Sequence, residues 1–543
     1  MAKTSKTVKK TSTQQKAKAG SRKSSKQTSR KTVIARPKSP GARAGKLSPP
    51  AVTAMSAPRL FGTDGIRCVA GEDALSPANV LKLGRALGRY LCGFTQGNER
   101  PAVIVGVDPR PSADYVGTTL CSGLIAECCD VHWPGMMSTP EVAFLTKHGP
   151  FAAGIAVTAS HNPASDNGIK VIAKNGGKLP DAVERELERS MASSELAGHA
   201  QPTKGRFGWL QLSREKHYEE FIAGTFRASF ANLVKRPLRV VFDCAFGARS
   251  IDLQVISRLA KSVAMGRTVP QLRTGMPMNT SGENQQNALD VFYLNTASPS
   301  QPEQHHMINA GVGSLHPESC AQAVKELQAD LGVCFDGDGD RCILVDETGQ
   351  VRDGDYMLAL LAADLQAAGK LVGNAVVSTS MANFGLEKAL AGLGVKLIRT
   401  EVGDRFVRDA MKQDGLVLGG EPSGHLIIAD EQHDIGDGLY TALRVIEIML
   451  DSGSRLSELC SGLTKYPQVL RNLRVSHKPE LTSLRHVVEA RRLAEKRLAG
   501  NGRIVVRYSG TEPLLRIMVE ASDASLVNSV ADQVEAAVKK ELT

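Results

Sequence analysis

Aromatic residues are scarce, at 4% of the 543 positions. An aromatic-rich β-sandwich is therefore not expected, and the 51 glycines suit an α/β protein with many tight turns. The ten cysteines form no C-x-x-C pair, so a zinc site is not expected. Several lie in apolar, strand-like runs, as Cys334 and Cys342 do. They read as buried free thiols in a reducing compartment, and the expected location is cytoplasmic. No apolar run approaches the roughly 20 residues that a membrane-spanning helix needs. No apolar segment follows the first residues, so no secretory signal is expected.

Acidic residues are missing from positions 1–50, which hold 15 Lys or Arg. Beyond them stand 52 basic and 56 acidic residues. The formal charge of +11 thus belongs to the tail, and the body is mildly acidic. The tail, residues 1–56, lacks hydrophobic periodicity and reads as disordered. Three roles stay open for it: a dispensable extension, a basic arm on nucleic acid or another polyanion, or a transit peptide.

The length asks for about three to four domains. From about residue 57, strand-like runs such as AVIVGV (102–107), LRVVFD (238–243), LGVCFD (331–336) and LVLGG (416–420) alternate with amphipathic stretches. That alternation predicts βαβ units with largely parallel sheets. The last part differs: RIVVRYSG (503–510) and LLRIMVEA (514–521) predict a strand pair, followed by a helix over 525–542. We expect three related α/β domains, with mixed or parallel sheets, at 57–200, 201–347 and 348–465. A smaller α+β domain follows at 466–543, and all four surround a central cleft. The polar stretch 262–290 reads as a surface insertion.

Polar, Gly-rich loops interrupt these elements, and such loops at strand ends bind ligands in α/β sheets. In GIAVTASHNPASDNGIKV (154–171), Ser160 follows a strand between small residues, with His161, Asn162 and Lys170 near it. It is not a hydrolase elbow. A serine that carries a phosphoryl group needs such cations and N–H donors. In FDGDGDR (335–341), Asp336, Asp338 and Asp340 alternate with glycines, which permit a bend that converges the carboxylates on one cation. An all-oxygen site suits Mg2+. An EF-hand would use Glu347 at its twelfth position, but CILVD (342–346) reads as a strand instead. Arg341 would sit beside the metal and reach phosphate. In GGEPSGH (419–425), Glu421 and Ser423 can bind vicinal sugar hydroxyls, and His425 can exchange a proton. In RYSGTEP (507–513), Arg507, Ser509, Gly510 and Thr511 make a phosphate nest to which Arg516 can add. In FGTDGIR (61–67), Thr63 and Arg67 are candidates for the surroundings of Ser160. Each of the last loops alone also reads as an ordinary turn.

Together, in this order, these segments resemble the α-D-phosphohexomutase family over nearly everything after the tail. FGTDGIR, INAGVGSLHPE (308–318), VGDR (402–405) and DIGDGLYTALRVIEIM (434–449) are most similar to its bacterial phosphoglucosamine mutase branch. The resemblance implies that Ser160 is a phosphoserine, and that Asp336, Asp338, Asp340 and a phosphoserine oxygen hold Mg2+. It implies sugar binding by Glu421 and Ser423, and phosphate binding by Arg507, Ser509, Gly510 and Thr511. The implied reaction interconverts glucosamine 6-phosphate and glucosamine 1-phosphate through a sugar bisphosphate. Some positions depart from the pattern. Glu401 stands where many relatives carry Lys, which leaves Lys170 and His425 as the acid/base candidates. Pro422 replaces a usual Gln, and Val107 a common Arg.

Two other readings stay open: a phosphomannomutase or phosphoglucomutase of the same family, and a non-catalytic binding protein that acts through its basic tail. Removal of residues 1–50 separates the last from the enzymes. Sugar-phosphate turnover by the truncated chain, followed by coupled assay, is expected to match that of the full chain.

Overall fold

The computed structural model describes residues 59–62, 64–95, 99–193, 205–209, 216–230, 238–250, 289–509 and 513–542. The tail, Thr63, Gly510, Thr511 and most of the expected insertion lie outside them, although 289–290 already begin a strand. No helix among the described residues is long and apolar enough to cross a membrane.

The first sheet contains β1 (Ile66–Val69), β2 (Ala102–Val107), β3 (Asp130–Met136), β4 (Ala153–Val157), β5 (Asp166–Ala173) and β6 (Arg206–Trp209). Their order is β1-β5-β4-β2-β3-β6. The second contains β7 (Leu238–Asp243), β8 (Leu289–Leu294), β9 (Leu331–Phe335), β10 (Cys342–Asp346) and β11 (Val351–Arg352), ordered β11-β10-β9-β7-β8. The third contains β12 (Ala375–Thr379), β13 (Lys396–Thr400), β14 (Leu418–Gly420) and β15 (Leu426–Ile428), ordered β13-β12-β14-β15. In the fourth, β18 (Leu514–Ala521) lies between β16 (Gln468–Arg474) and β17 (Gly502–Tyr508).

The first three sheets repeat one plan. Parallel strands form the body, and an antiparallel partner follows β4, β9 and β14. The sheets are therefore mixed, within the expected mixed or parallel plan. A parallel neighbour needs a crossover of a dozen or more residues, whereas a short loop can return only antiparallel. The loops at 158–165, 336–341 and 421–425 are short, and they are the polar motifs themselves. The fourth motif begins at the end of β17, which pairs with β18, also antiparallel. β10 is the strand CILVD, and Glu347 after it accepts from Ser457, so no EF-hand forms.

Strands β4, β9, β10 and β12 are buried at every position, as strands covered on both faces must be. The second and third sheets share one core, from Tyr218 and Phe242 through Phe335 and Leu344 to Leu443 and Cys460. The first and fourth sheets have cores of their own. Glu520 on β18 joins the fourth sheet to the third, accepting from Asn383 Nδ2, Phe384 N and Arg503 Nε.

Asp437 ties several elements together. It caps the helix Gly438–Ser452 by accepting from the N–H groups of Leu439 and Tyr440. It also takes Tyr218 Oη at 2.6 Å and Arg249 Nη2 at 2.5 Å. Arg249, buried with it, donates to the Gly339 carbonyl inside the aspartate loop. Burial opposes the Asp437 charge, but Arg249, His433 and Tyr218 outweigh it and hold the carboxyl well below the usual range. Removing one partner of a buried pair strands the other charge, at a cost of about 3–5 kcal/mol. Asp437→Ala is expected to lose about that much stability in chemical denaturation. With the folded value depressed, the contribution is complete above the unfolded value near ~4 and fades as pH falls below it. The variant and the unaltered chain should therefore converge in stability under acid.

Candidate active site

Ser160 leaves β4 with φ of 54°, in the left-handed region that a non-glycine residue enters only under constraint. The constraint is visible. Its N–H donates to Thr158 Oγ1 at 2.8 Å, and Thr158 in turn donates to Asp108. Its carbonyl accepts from Arg110 Nη2 and Asn309 Nδ2, both at 2.8 Å. Both side chains also hold the Asn162 carbonyl. The loop is thus gripped by residues of the first and second sheets. The Ser160 hydroxyl, fully buried, donates to Asp336 Oδ2 at 2.7 Å.

Asp336, Asp338 and Asp340 converge as expected, with ligand atoms within 4.8 Å of one another. Two glycines make this possible. A Cβ on Gly337 would meet the Ser160 carbonyl at 2.7 Å, and Gly339 adopts φ of 74° against Arg249. Burial and the charges of Asp340 and Asp338 push the Asp336 carboxyl well up. Oδ1 of Asp338 and Oδ1 of Asp340 are buried without a hydrogen-bond partner. Three crowded carboxylates with unmet oxygens fit a hard divalent cation.

Lys170 on β5 reaches Asp338 at 2.8 Å, Asp340 at 2.9 Å and Asp64 at 3.1 Å. Burial works against its charge, yet these carboxylates raise its pKa well above the lysine range. Its ammonium thus lies within ion-pair distance of three carboxylates, two of them in the aspartate cluster. Arg341 Nε lies 3.9 Å from Asp336 and 3.8 Å from Asp340. His161 Nδ1 is 3.3 Å from the Ser160 hydroxyl. Burial, then Arg341 and Arg67, bring its pKa down to about 4, so its ring is neutral at pH 7.

Other expected residues sit differently. Arg67 pairs with Asp64. The Asn162 amide donates to Asp166, and only its backbone carbonyl takes part in the grip on the loop. Glu421 accepts from Gly403 N at 3.0 Å and from Ser423 Oγ at 3.4 Å. His425 lines one cavity with Lys170, Asp340, Asp64 and Asp404. Its ring lies over Gly436, where a Cβ would stand 2.1 Å from Nε2. Arg507 and Arg516 are register partners on β17 and β18, so they form a separate basic face on the fourth sheet. Burial, then Arg516, lowers the Arg507 pKa. The Ser509 carbonyl accepts from Lys478.

Sequence reasoning assigned no role to Asn309, Thr139 or Arg249. Asn309 carried a signal, since it stands in the INAGVGSLHPE stretch. Thr139 donates to Asp338 Oδ2 at 2.7 Å from the start of the helix Thr139–His148. Its Ser-Thr-Pro-Glu setting reads only as a helix start.

Comparison with known proteins matches the whole four-domain plan. Models described as phosphoglucomutase/phosphomannomutase α/β/α domains I, II and III match residues 58–197, 216–349 and 353–466. The C-terminal domain of the same family matches 470–537. The chain belongs to the phosphoglucomutase/phosphomannomutase family. A phosphoglucosamine mutase from Koribacter versatilis is 38% identical over 485 residues, covering 89% of this chain and 97% of that protein. Among solved structures, a phosphoglucomutase/phosphomannomutase family protein from Burkholderia thailandensis aligns with TM-score 0.68 at 23% identity, covering 89% and 97% of the two chains. Aspergillus fumigatus N-acetylphosphoglucosamine mutase, solved with GlcNAc-6P and magnesium, aligns with TM-score 0.53 at 17% identity, covering 89% and 96%. The family fold and the buried aspartates together define a candidate metal centre beside a serine.

Asp338→Asn removes a carboxylate oxygen from that centre. It is expected to weaken divalent-cation binding, read by titration calorimetry, by at least about tenfold.

Proposed function

We propose that this chain is a phosphoglucosamine mutase, interconverting glucosamine 6-phosphate and glucosamine 1-phosphate through phosphorylated Ser160 and a sugar bisphosphate. The observation that carries this reading is the Ser160 hydroxyl, held in a strained loop 2.7 Å from the aspartate cluster. Nearly full-length relatedness to phosphoglucosamine mutases supports the amino-sugar substrate over glucose or mannose phosphate. It does so despite Pro422 and Glu401.

Asp336, Asp338 and Asp340 are the proposed ligands of Mg2+, which when bound neutralises phosphate charge and makes the serine oxygen a better leaving group. Every other role falls to the chain. A sugar hydroxyl attacks phosphorus on Ser160, the P–Oγ bond breaks, and the phosphoryl group passes to the sugar. The hydroxyl proton needs an acceptor. His425 offers a buried Nδ1 without a hydrogen-bond partner, whereas Lys170 is already paired with Asp338, Asp340 and Asp64. Lys170 and Arg341 stabilise the charge spread over the transferring oxygens. Glu421 and Ser423 hold sugar hydroxyls. Arg507, Arg516 and Ser509, with Gly510 and Thr511, hold the phosphate that is not reacting. The bisphosphate then turns to present its other phosphate to Ser160, so the phosphate and sugar sites accept two orientations. The ten free thiols suit a reducing compartment, and the cytoplasm is the proposed setting.

Phosphorus NMR with Mg2+, a trace of matching bisphosphate and each of glucosamine, glucose and mannose 6-phosphate tests this. The 1-phosphate should appear fastest from glucosamine 6-phosphate, and Ser160→Ala should abolish it without unfolding. Faster conversion of glucose or mannose phosphate would overturn the substrate. Turnover by Ser160→Ala would overturn the mechanism.

A further inference from the structure

Asp404 opens the helix Asp404–Asp414 directly after Gly403. It is half-buried and lines the cavity that holds Lys170, Asp340 and His425. The neighbouring anions have cations: Asp340 has Lys170 and Arg341, and Asp64 has Arg67 and Lys170. The Asp404 carboxylate has no hydrogen bond or ion pair with any described residue. Arg405 pairs with Asp181 and Asp409, and Arg408 with Asp434, so neither adjacent arginine serves it. Burial and the charge of Asp64 raise its carboxyl, against His425 and Lys170, as befits an anion short of a matched cation. The same cavity holds a second unmet group, Nδ1 of His425, whose side chain is more than nine-tenths buried. A site with an unanswered anion and an unanswered ring nitrogen is built for something that enters it.

The location narrows what enters. Glu421 accepts from Gly403 N at 3.0 Å, and Glu421 N donates to the His425 carbonyl at 2.9 Å. Sugar hydroxyls bound by Glu421 and Ser423 therefore fall beside residues 403–404. In a 2-amino-2-deoxyhexose, the C2 ammonium neighbours the C3 hydroxyl. We propose that Asp404 is a specificity-determining residue whose carboxylate pairs with the C2 ammonium of the sugar phosphate. The proposal rests on the mutase reading above and names the residue that chooses its sugar. An ammonium answers a half-buried carboxylate with an opposite charge, whereas a neutral hydroxyl leaves that charge without a partner.

The test compares kcat/KM for glucosamine 6-phosphate and glucose 6-phosphate in the full chain with Mg2+ and the matching bisphosphate, alongside thermal midpoints. The unaltered chain should prefer the amino sugar. Asp404→Asn should cut that preference at least tenfold, and Asp404→Glu should keep most of it. If Asp404→Asn does not fold, Asp404→Ser reads the same ratio. Equal loss on both sugars overturns the proposal, because a residue that only orients His425 or favours its helix would give that result. An unchanged ratio, or a native preference for glucose 6-phosphate, overturns it too. Failure of the unaltered chain on every sugar would instead sink the mutase reading itself, and this proposal with it.

Discussion

Three aspartates converge within reach of one ion, in a place with little water, and their mutual repulsion is the constraint that shapes the molecule. No single domain resolves it. The second sheet supplies the carboxylates, while the first supplies Lys170 on β5 and Thr139 to hold Asp338. Arg249 braces the loop from beneath, and Asp437, at the head of a helix that follows the third sheet, keeps Arg249 in place. Charge compensation at the centre thus joins three domains, and the shared core of the second and third keeps their geometry fixed.

The repeated hairpin explains how distant sequence segments meet. Each of the first three sheets presents one short turn beyond a buried strand, and each turn carries different side chains: a serine hydroxyl, three clustered aspartates, and a glutamate with a serine beside it. The strand fixes where the turn emerges, and the antiparallel return fixes its length. The fourth sheet follows another plan. Its two arginines lie opposite each other on neighbouring strands, and their repulsion eases when an anion sits between them.

Much of this was legible in the chain. Ser160 and the aspartates announced themselves because chemistry forces unusual residues into short spans, and glycine spacing betrays a backbone bend. Strands β2, β4, β7, β9 and β10 stood out as continuous apolar runs. β16 did not, since QVLRNLR is mostly exposed at a sheet edge and carries a weak pattern. Thr139 and Arg249 were silent for another reason, and the INAGVGSLHPE and VGDR stretches marked Asn309 and Asp404 without giving either a role. Each acts on a partner far along the chain or through the absence of one, and single residue types have many ordinary uses. Mixed or parallel sheets were both expected, and the length of each loop decides which strands return antiparallel.

The grip on the Ser160 carbonyl has a temporal consequence. Arg110 precedes it in the chain, but Asn309 and Asp336 follow it by well over a hundred residues. During synthesis the first sheet can fold while the serine still lacks half of its restraints. A nascent chain therefore holds the Ser160 hydroxyl without its Asp336 partner until the second domain has left the ribosome and docked. The geometry around this hydroxyl is a product of assembly, complete only once both domains have folded against each other.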